Sequence, residues 1–330
     1  MIVKIDLKIF DNRDYFYILD RLTYLFERKH LWDIDNYRKI KESKWLATEQ
    51  DTRLGQRAGK IIEKTVVNSG YITTSKRRDK RTIRITLTPE NDNEFIPEIA
   101  LRYLKSPVYV IVENFSSDKA FLQAVIGGYK EKDLKTAIDN EWIKVEGVGG
   151  IGEVPKRIDD YYKNHQGFKP RLYILVDSDR QYPGDDHNAD PVVEKCKEKR
   201  IEDNLTILYK RAIENYLPLD ALAEVDDELQ HVYEAYNSLN NPDKWDYYNM
   251  KKGFGAKGLP EKQKKLFDGI KKGDKLFEDL KKGFEVKGFH LYSLFEKKDK
   301  ITKAALKKRC KHQSIPDELE KLLKGISSLL

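Results

Sequence analysis

The chain has 330 residues, enough for two or three domains, each with its own core. Its 39% hydrophobic content supports globular folding, while 35% charged residues, a mean hydropathy of -0.70 and the lack of any apolar run near the roughly 20 residues of a spanning helix exclude a membrane-embedded protein. The net charge of +7 is a modest basic excess that bears on polyanion contact only where it is concentrated. Two cysteines without C-x-x-C spacing, six scattered histidines and an N-terminus unlike a signal peptide exclude a disulfide framework and a zinc finger, and a reducing cytoplasm is expected.

Residues from about Asp11 to Asn68 are predicted to be helical, with Phe16, Ile18, Leu19, Leu22, Leu25 and Phe26 at helical spacing. Trp45 and Leu46 close a second amphipathic segment. Thr48, followed three residues later by Asp51, is the expected N-cap of a third, which runs through Leu54, Ile61, Ile62 and Val66. The period then changes. Tyr71–Ser75 and Thr82–Thr88 alternate as strands, joined by the basic loop Lys76-Arg77-Arg78-Asp79-Lys80-Arg81. Helices followed by a basic hairpin describe a winged helix-turn-helix over residues 1–103, with Arg77, Arg78, Lys80 and Arg81 set to contact nucleic acid. The alternative is a solvated hairpin on a domain that docks protein. Over about 35 residues the segment also resembles the wing of MarR-type regulators, through Asp79, Arg81, Leu87 and Thr88.

Residues 104–220 alternate strands and helices, the pattern of a parallel α/β sheet. A buried strand, Val108 to Val112, ends in Glu113. A second, WIKVEG, leads into GVGGIGE. A third, LYILV, is apolar throughout and runs into Asp177-Ser178-Asp179, and a fourth precedes RAIENYLP. Ligands of open α/β sheets bind at the carboxyl ends of strands, and i, i+2 acids on an extended chain point the same way, so Asp177 and Asp179 can share a cation. The bland reading is a solvated Asp-Ser-Asp turn. Gly147, Gly149 and Gly152 match G-x-G-x-x-G, but the charged helix that follows does not suit a dinucleotide site, and a tight turn explains the glycines.

Residues 221–330 are helical and lysine-rich. KKGFGAKG at Lys251 recurs as KKGFEVKG at Lys281, and Lys-Lys-Gly reads as a helix stop. Tyr247, Tyr248, Phe254, Phe284 and Phe289 interleave with these lysines and are expected as core positions in preference to base-stacking ones.

Taken together, a strand ending in Glu113, a glycine-rich turn, Asp177-x-Asp179 and a later Glu-Asn-Tyr resemble the Toprim domain in their order. VENFSSDKAFL, with Asn114 where the family carries Gly, and RAIENYLP resemble the branch of overcoming-lysogenization-defect (OLD) nucleases and PARIS-type anti-phage effectors. The resemblance implies a nuclease using two Mg²⁺ (or Mn²⁺) ions, with Glu113, Asp177 and Asp179 on a first ion and Asp118 and Glu214 helping to hold a second. It also implies a separate ATPase partner subunit, since no Walker A motif is present. Lys210, Arg211 or Lys252 is expected to neutralise the transition state, with Lys252 carried as the candidate. The expected architecture is α/β: a Toprim-like parallel sheet flanked by helices, an N-terminal winged-helix-like domain and a C-terminal helical domain. The substrate is nucleic acid, DNA or RNA, and a homo-oligomer is compatible. Two rivals remain. One is a topoisomerase VI A-like transesterase using Tyr24, Tyr37 or Tyr71, and the other is a non-catalytic DNA-binding regulator.

Overall fold

The computed structural model describes residues 1–49, 58–65 and 81–330. Arg77, Arg78, Lys80 and the expected strand Tyr71–Ser75 lie outside these residues. The protein is α/β, with two four-stranded parallel sheets flanked by helices, and divides into two compact units. Among the described residues no helix is long and apolar enough to cross a membrane.

The first unit comprises Met1–Val108, Asp160–Arg171 and Ile326–Leu330. Its sheet joins β1 (Ile2–Ile5), β2 (Leu31–Trp32), β3 (Thr82–Ile85) and β4 (Glu94–Phe95) in the order β2-β1-β3-β4, with every neighbouring pair parallel. One arm of the expected hairpin, Tyr71–Ser75, lies outside the described residues, and the other forms β3 in this parallel sheet. Alternation identifies β3, whose Ile83 and Ile85 are fully buried, but it carries no information about the partner. That partner is β1, paired from Ile2↔Thr82 to Ile5↔Ile85, with β4 on the other side at Arg84 and Ile85. Helix α1 (Phe16–Arg28) buries Ile18, Leu19 and Leu22, as its spacing predicts. Thr48 lies inside the helix Lys44–Glu49 and not at an N-cap. Helix α2 (Pro97–Lys105) begins on a proline whose fixed φ suits the first turn. Its C-terminal carbonyls are met by Arg171, a buried guanidinium that donates to Tyr103 O and Ser106 O.

The second unit comprises Tyr109–Asp159 and Leu172–Gly325, so residues 221–325 share it with the second sheet. That sheet joins β5 (Val108–Val112), β6 (Ile143–Gly147), β7 (Leu172–Val176) and β8 (Leu205–Ile207) in the order β6-β5-β7-β8. All five residues of β7 are buried, which is what its unbroken apolar run requires of a central strand covered on both faces. The parallel register pairs Val112 with Leu175 and Val176 with Ile207, so the residues after β5 and β7 emerge side by side. Helix α3 (Phe115–Tyr129) follows β5 and packs Phe121 against Tyr216 and Phe295, each at a ring separation of 5.4 Å.

The two Lys-Lys-Gly-Phe repeats grip each other. Phe254 N–H donates to Leu280 O and Gly255 N–H to Lys281 O. Thirty residues on, Phe284 N–H donates to Met250 O and Glu285 N–H to Lys251 O. Gly253 (φ +62°) and Gly283 (φ +67°) sit at the crossing, where a Cβ on Gly283 would lie 2.6 Å from both Gly253 N and Lys251 O. The repeats are therefore more than helix stops. Tyr247, Tyr248, Phe254 and Phe284 are buried beside them as core residues.

Candidate functional site

The side-by-side ends of β5 and β7 dictate the first contact. Asp177 N–H donates to Glu113 Oε1 at 2.9 Å, so the backbone of one strand end fixes the carboxylate of the other. Asp177 Oδ1 in turn accepts from Ile213 N–H at 3.1 Å, on the turn Ile213–Tyr216 that carries Glu-Asn-Tyr. Ser178 is buried, and its hydroxyl donates to Lys210 O at 2.7 Å. Asp179 departs from the extended pair expected, for its φ of +53° is left-handed, a conformation Asp tolerates better than most residues. Its N–H donates to Arg211 O at 2.9 Å, and Asn188 Nδ2 donates to its Oδ2. Asn114, where the family resemblance has Gly, is extended at φ −123°, which any residue adopts.

The expected site residues fall into different roles. Glu113, Asp177 and Asp179 each commit one carboxylate oxygen to a protein donor, leaving the other without a hydrogen bond among the described residues. Both oxygens of Asp118 are used. Its Oδ2 accepts from Asn114 N–H at 2.9 Å and its Oδ1 from the Ser117 hydroxyl at 2.8 Å, so it reaches back to tie down the start of α3. Glu214, 1% exposed, pairs with Lys251 Nζ at 2.8 Å. Lys252 is exposed, while its neighbour Lys251 turns towards the acids. Lys210 is also elsewhere: fully buried, its ammonium is paired with Asp246 and donates to Arg309 O, and burial lowers its pKa to about 8. Asp185, in the loop after the motif, is no solvated acid. It is buried, accepts from Gln181 N–H at 3.0 Å and pairs with Lys262 at 3.1 Å.

The electrostatics follow from this crowding. Burial, with Asp179 and Asp118 nearby, raises the pKa of Glu113 to about 7. Burial and the charges of Glu214, Asp118 and Glu113 raise Asp177 well above the ordinary carboxylate value. Burial is also the leading cause of the upward shifts of Asp118 and Glu214. Lys251 opposes the rise at all four acids. Sequence reasoning passed over Lys251 for Lys252, because the direction of each lysine is set by the crossing of the two repeats and not by local pattern.

Among the described residues no three His, Cys, Asp or Glu side chains are already grouped to hold a metal ion, because the acids are turned to protein donors. The donor chemistry nonetheless fits a hard divalent cation: an all-oxygen carboxylate set, with free oxygens on three acids and a raised pKa that a nearby cation relieves. The glycine-rich turn lies alongside. Val148 N–H donates to Val112 O and Gly149 N–H to Glu113 O, and a Cβ on Gly147 would meet Phe115 N at 2.3 Å. Gly147 is thus required by the close approach of α3. No known protein family, curated protein or solved structure matches the chain.

Proposed function

We propose that the protein is a divalent-cation-dependent nuclease of the Toprim type, hydrolysing phosphodiester bonds of DNA or RNA. The observation that carries this reading is the convergence of Glu113, Asp177 and Glu214 at the carboxyl edge of one parallel sheet. Burial first, and then neighbouring carboxylates, raise their pKa values, and Lys251 pairs with Glu214 beside them. Glu113, Asp177 and Asp179 would hold a first Mg²⁺ or Mn²⁺ ion, and Glu214 would help to hold a second. When bound, the ions supply an activated water and a counter-charge for the leaving oxygen. Asp118 positions α3 and with it Glu113. Lys251, already paired with Glu214, offsets phosphate charge at the same edge. Arg81, from the basic loop, has its guanidinium on Asn93 Oδ1 at 2.8 Å, and so gives a phosphate contact less support than the loop sequence suggested. The two free, buried cysteines suit a reducing cytoplasm. A separate ATPase subunit of a defence system belongs to the same reading.

The test is incubation of purified protein with plasmid, single strands and total RNA in Mg²⁺, Mn²⁺ or EDTA. Asp177→Asn and Asp179→Asn are expected to abolish metal-dependent cleavage while keeping the fold. Cleavage by both variants at the parent rate would remove this assignment. A tyrosine transesterase would leave protein on the cut end, and a regulator would cut nothing.

A further inference from the structure

A cleft of about 390 Å³ adjoins the acids. Glu214 and Lys251 line it on the side of the acids, and Phe115, Phe289, His290 and Tyr292 bring aromatic rings to it. Its size is that of a small-ligand site, roughly 300–1,000 Å³. Phe115 is the unusual residue. It is 50% exposed, although its backbone is wedged against Gly147 and cannot drift. Leaving half of such a ring in water forgoes hydrophobic burial, while Tyr247, Tyr248, Phe254 and Phe284 in the lysine-rich part of the same unit are all buried. The ring carries Lys119 Nζ at 4.7 Å from its centroid. His290 and Tyr292 stack with centroids 5.3 Å apart and planes 13° from parallel, and both belong to the cleft lining.

Cations stand beside these rings, Lys119 over Phe115 and Lys251 in the cleft lining at the start of a lysine-rich segment. Residues 251–287 hold twelve lysines and six acids, a net of +6, against +7 for the whole chain. Flat aromatic surfaces next to lysines are the chemistry that receives an unpaired nucleotide, with the base on a ring and the phosphates among cations. A duplex keeps its bases stacked on one another and offers none to such a cleft. We propose that the cleft holds one unpaired nucleobase, stacked on Phe115, next to the phosphate that is cut, so that the preferred substrate is a single-stranded or unpaired tract. This inference rests on the nuclease reading for the meaning of the neighbouring acids, but its test does not require cleavage.

The full chain is titrated in EDTA into a single-stranded oligonucleotide carrying one 2-aminopurine, into the same strand with an abasic position, and into a duplex. Stacking is expected to quench the 2-aminopurine. Phe115→Ala and Tyr292→Ala are each expected to weaken single-strand binding about five- to a hundredfold and to relieve the quench, with duplex binding unmoved. Phe115→Trp should retain both binding and quench, which separates loss of the stack from loss of the fold. Equal affinity of parent and Phe115→Ala for the single strand, or an equal drop for strand and duplex, overturns the base site. Quenching in a protein that cuts nothing with any metal keeps the base site and removes the nuclease reading; cleavage without quenching does the reverse.

Discussion

Replacing Glu113 with Gln isolates the charge at the centre of the site, because Gln keeps an oxygen to accept the Asp177 N–H. The Glu113 pKa rises from 4.5 in the unfolded chain to about 7, so between those values the folded protein holds a proton the unfolded chain has released. Stability therefore falls as pH rises through this window. The contribution is fully present below about 4.5 and lost above about 7. A rise of about 2.5 pH units at 1.36 kcal/mol each sets an upper value of about 3.4 kcal/mol. Water reaches this partly exposed carboxyl, and halving for that leaves about 1.5–2 kcal/mol. Asp177, Asp179 and Asp118 face the group and Lys251 partly compensates them, so the penalty is not cancelled locally. In EDTA near pH 8, Glu113→Gln should melt about 3–6 °C above the parent, and the two should coincide near pH 4.5. Saturating Mg²⁺ should reverse the order, since ligand at a hundredfold its Kd adds about 2.7 kcal/mol and the variant lacks one of the charges that hold it. Thermal unfolding followed by circular dichroism across this pH range, with and without metal, measures both effects. Melting curves of parent and variant that stay parallel at every pH would refute the crowded-charge account of the site.

Lys251→Gln should lower cleavage about a hundredfold, whereas Lys252→Gln should stay within about threefold of the parent in the same assay. Lys210→Met should destabilise the protein by about 3 kcal/mol in denaturant melts, towards the low end for a broken buried pair, because Arg309 and His312 still contact Asp246 at 3.3 and 2.7 Å. A gain in stability would show that the buried lysine is only a cost. Gly283→Ala should cost about 2–4 kcal/mol, and a parent-like melt would contradict the close crossing of the repeats.

The apolar run of Leu172 to Val176 made the central strand legible in the sequence, and the placement of Glu113 and Asp177 at strand ends followed from it, because these signals are local and burial enforces them. What escaped was non-local. Ile2–Ile5 is only four residues long, and its pairing with Thr82–Ile85 across the chain leaves no trace in either segment. The left-handed turn at Asp179 depends on the carbonyl of Arg211, and Lys210, expected near the chemistry, is claimed by Asp246. The lysine repeat was visible, but its meaning lay in the contact between its copies. Two glycine-bearing turns thirty residues apart that need each other's backbone were the one signal from which Lys251 could have been found.

That crossing sets where the protein is fragile. Gly253 and Gly283 carry no side chain to act on the acids, but together they hold the Lys251 backbone from which the ammonium reaches Glu214. A random-mutation screen for lost activity would therefore collect substitutions at Gly283, thirty-two residues along the chain from the lysine it fixes, alongside those at the carboxylates. Changing Lys281, the counterpart of Lys251, would be silent, because among the described residues its ammonium pairs with Glu278 within its own turn and not with the acids. Two near-identical octapeptides would then have unequal mutational tolerance at their lysine pairs: in the first copy Lys252 can change and Lys251 cannot, and in the second copy both lysines can change while the glycine between them and the buried Phe284 cannot.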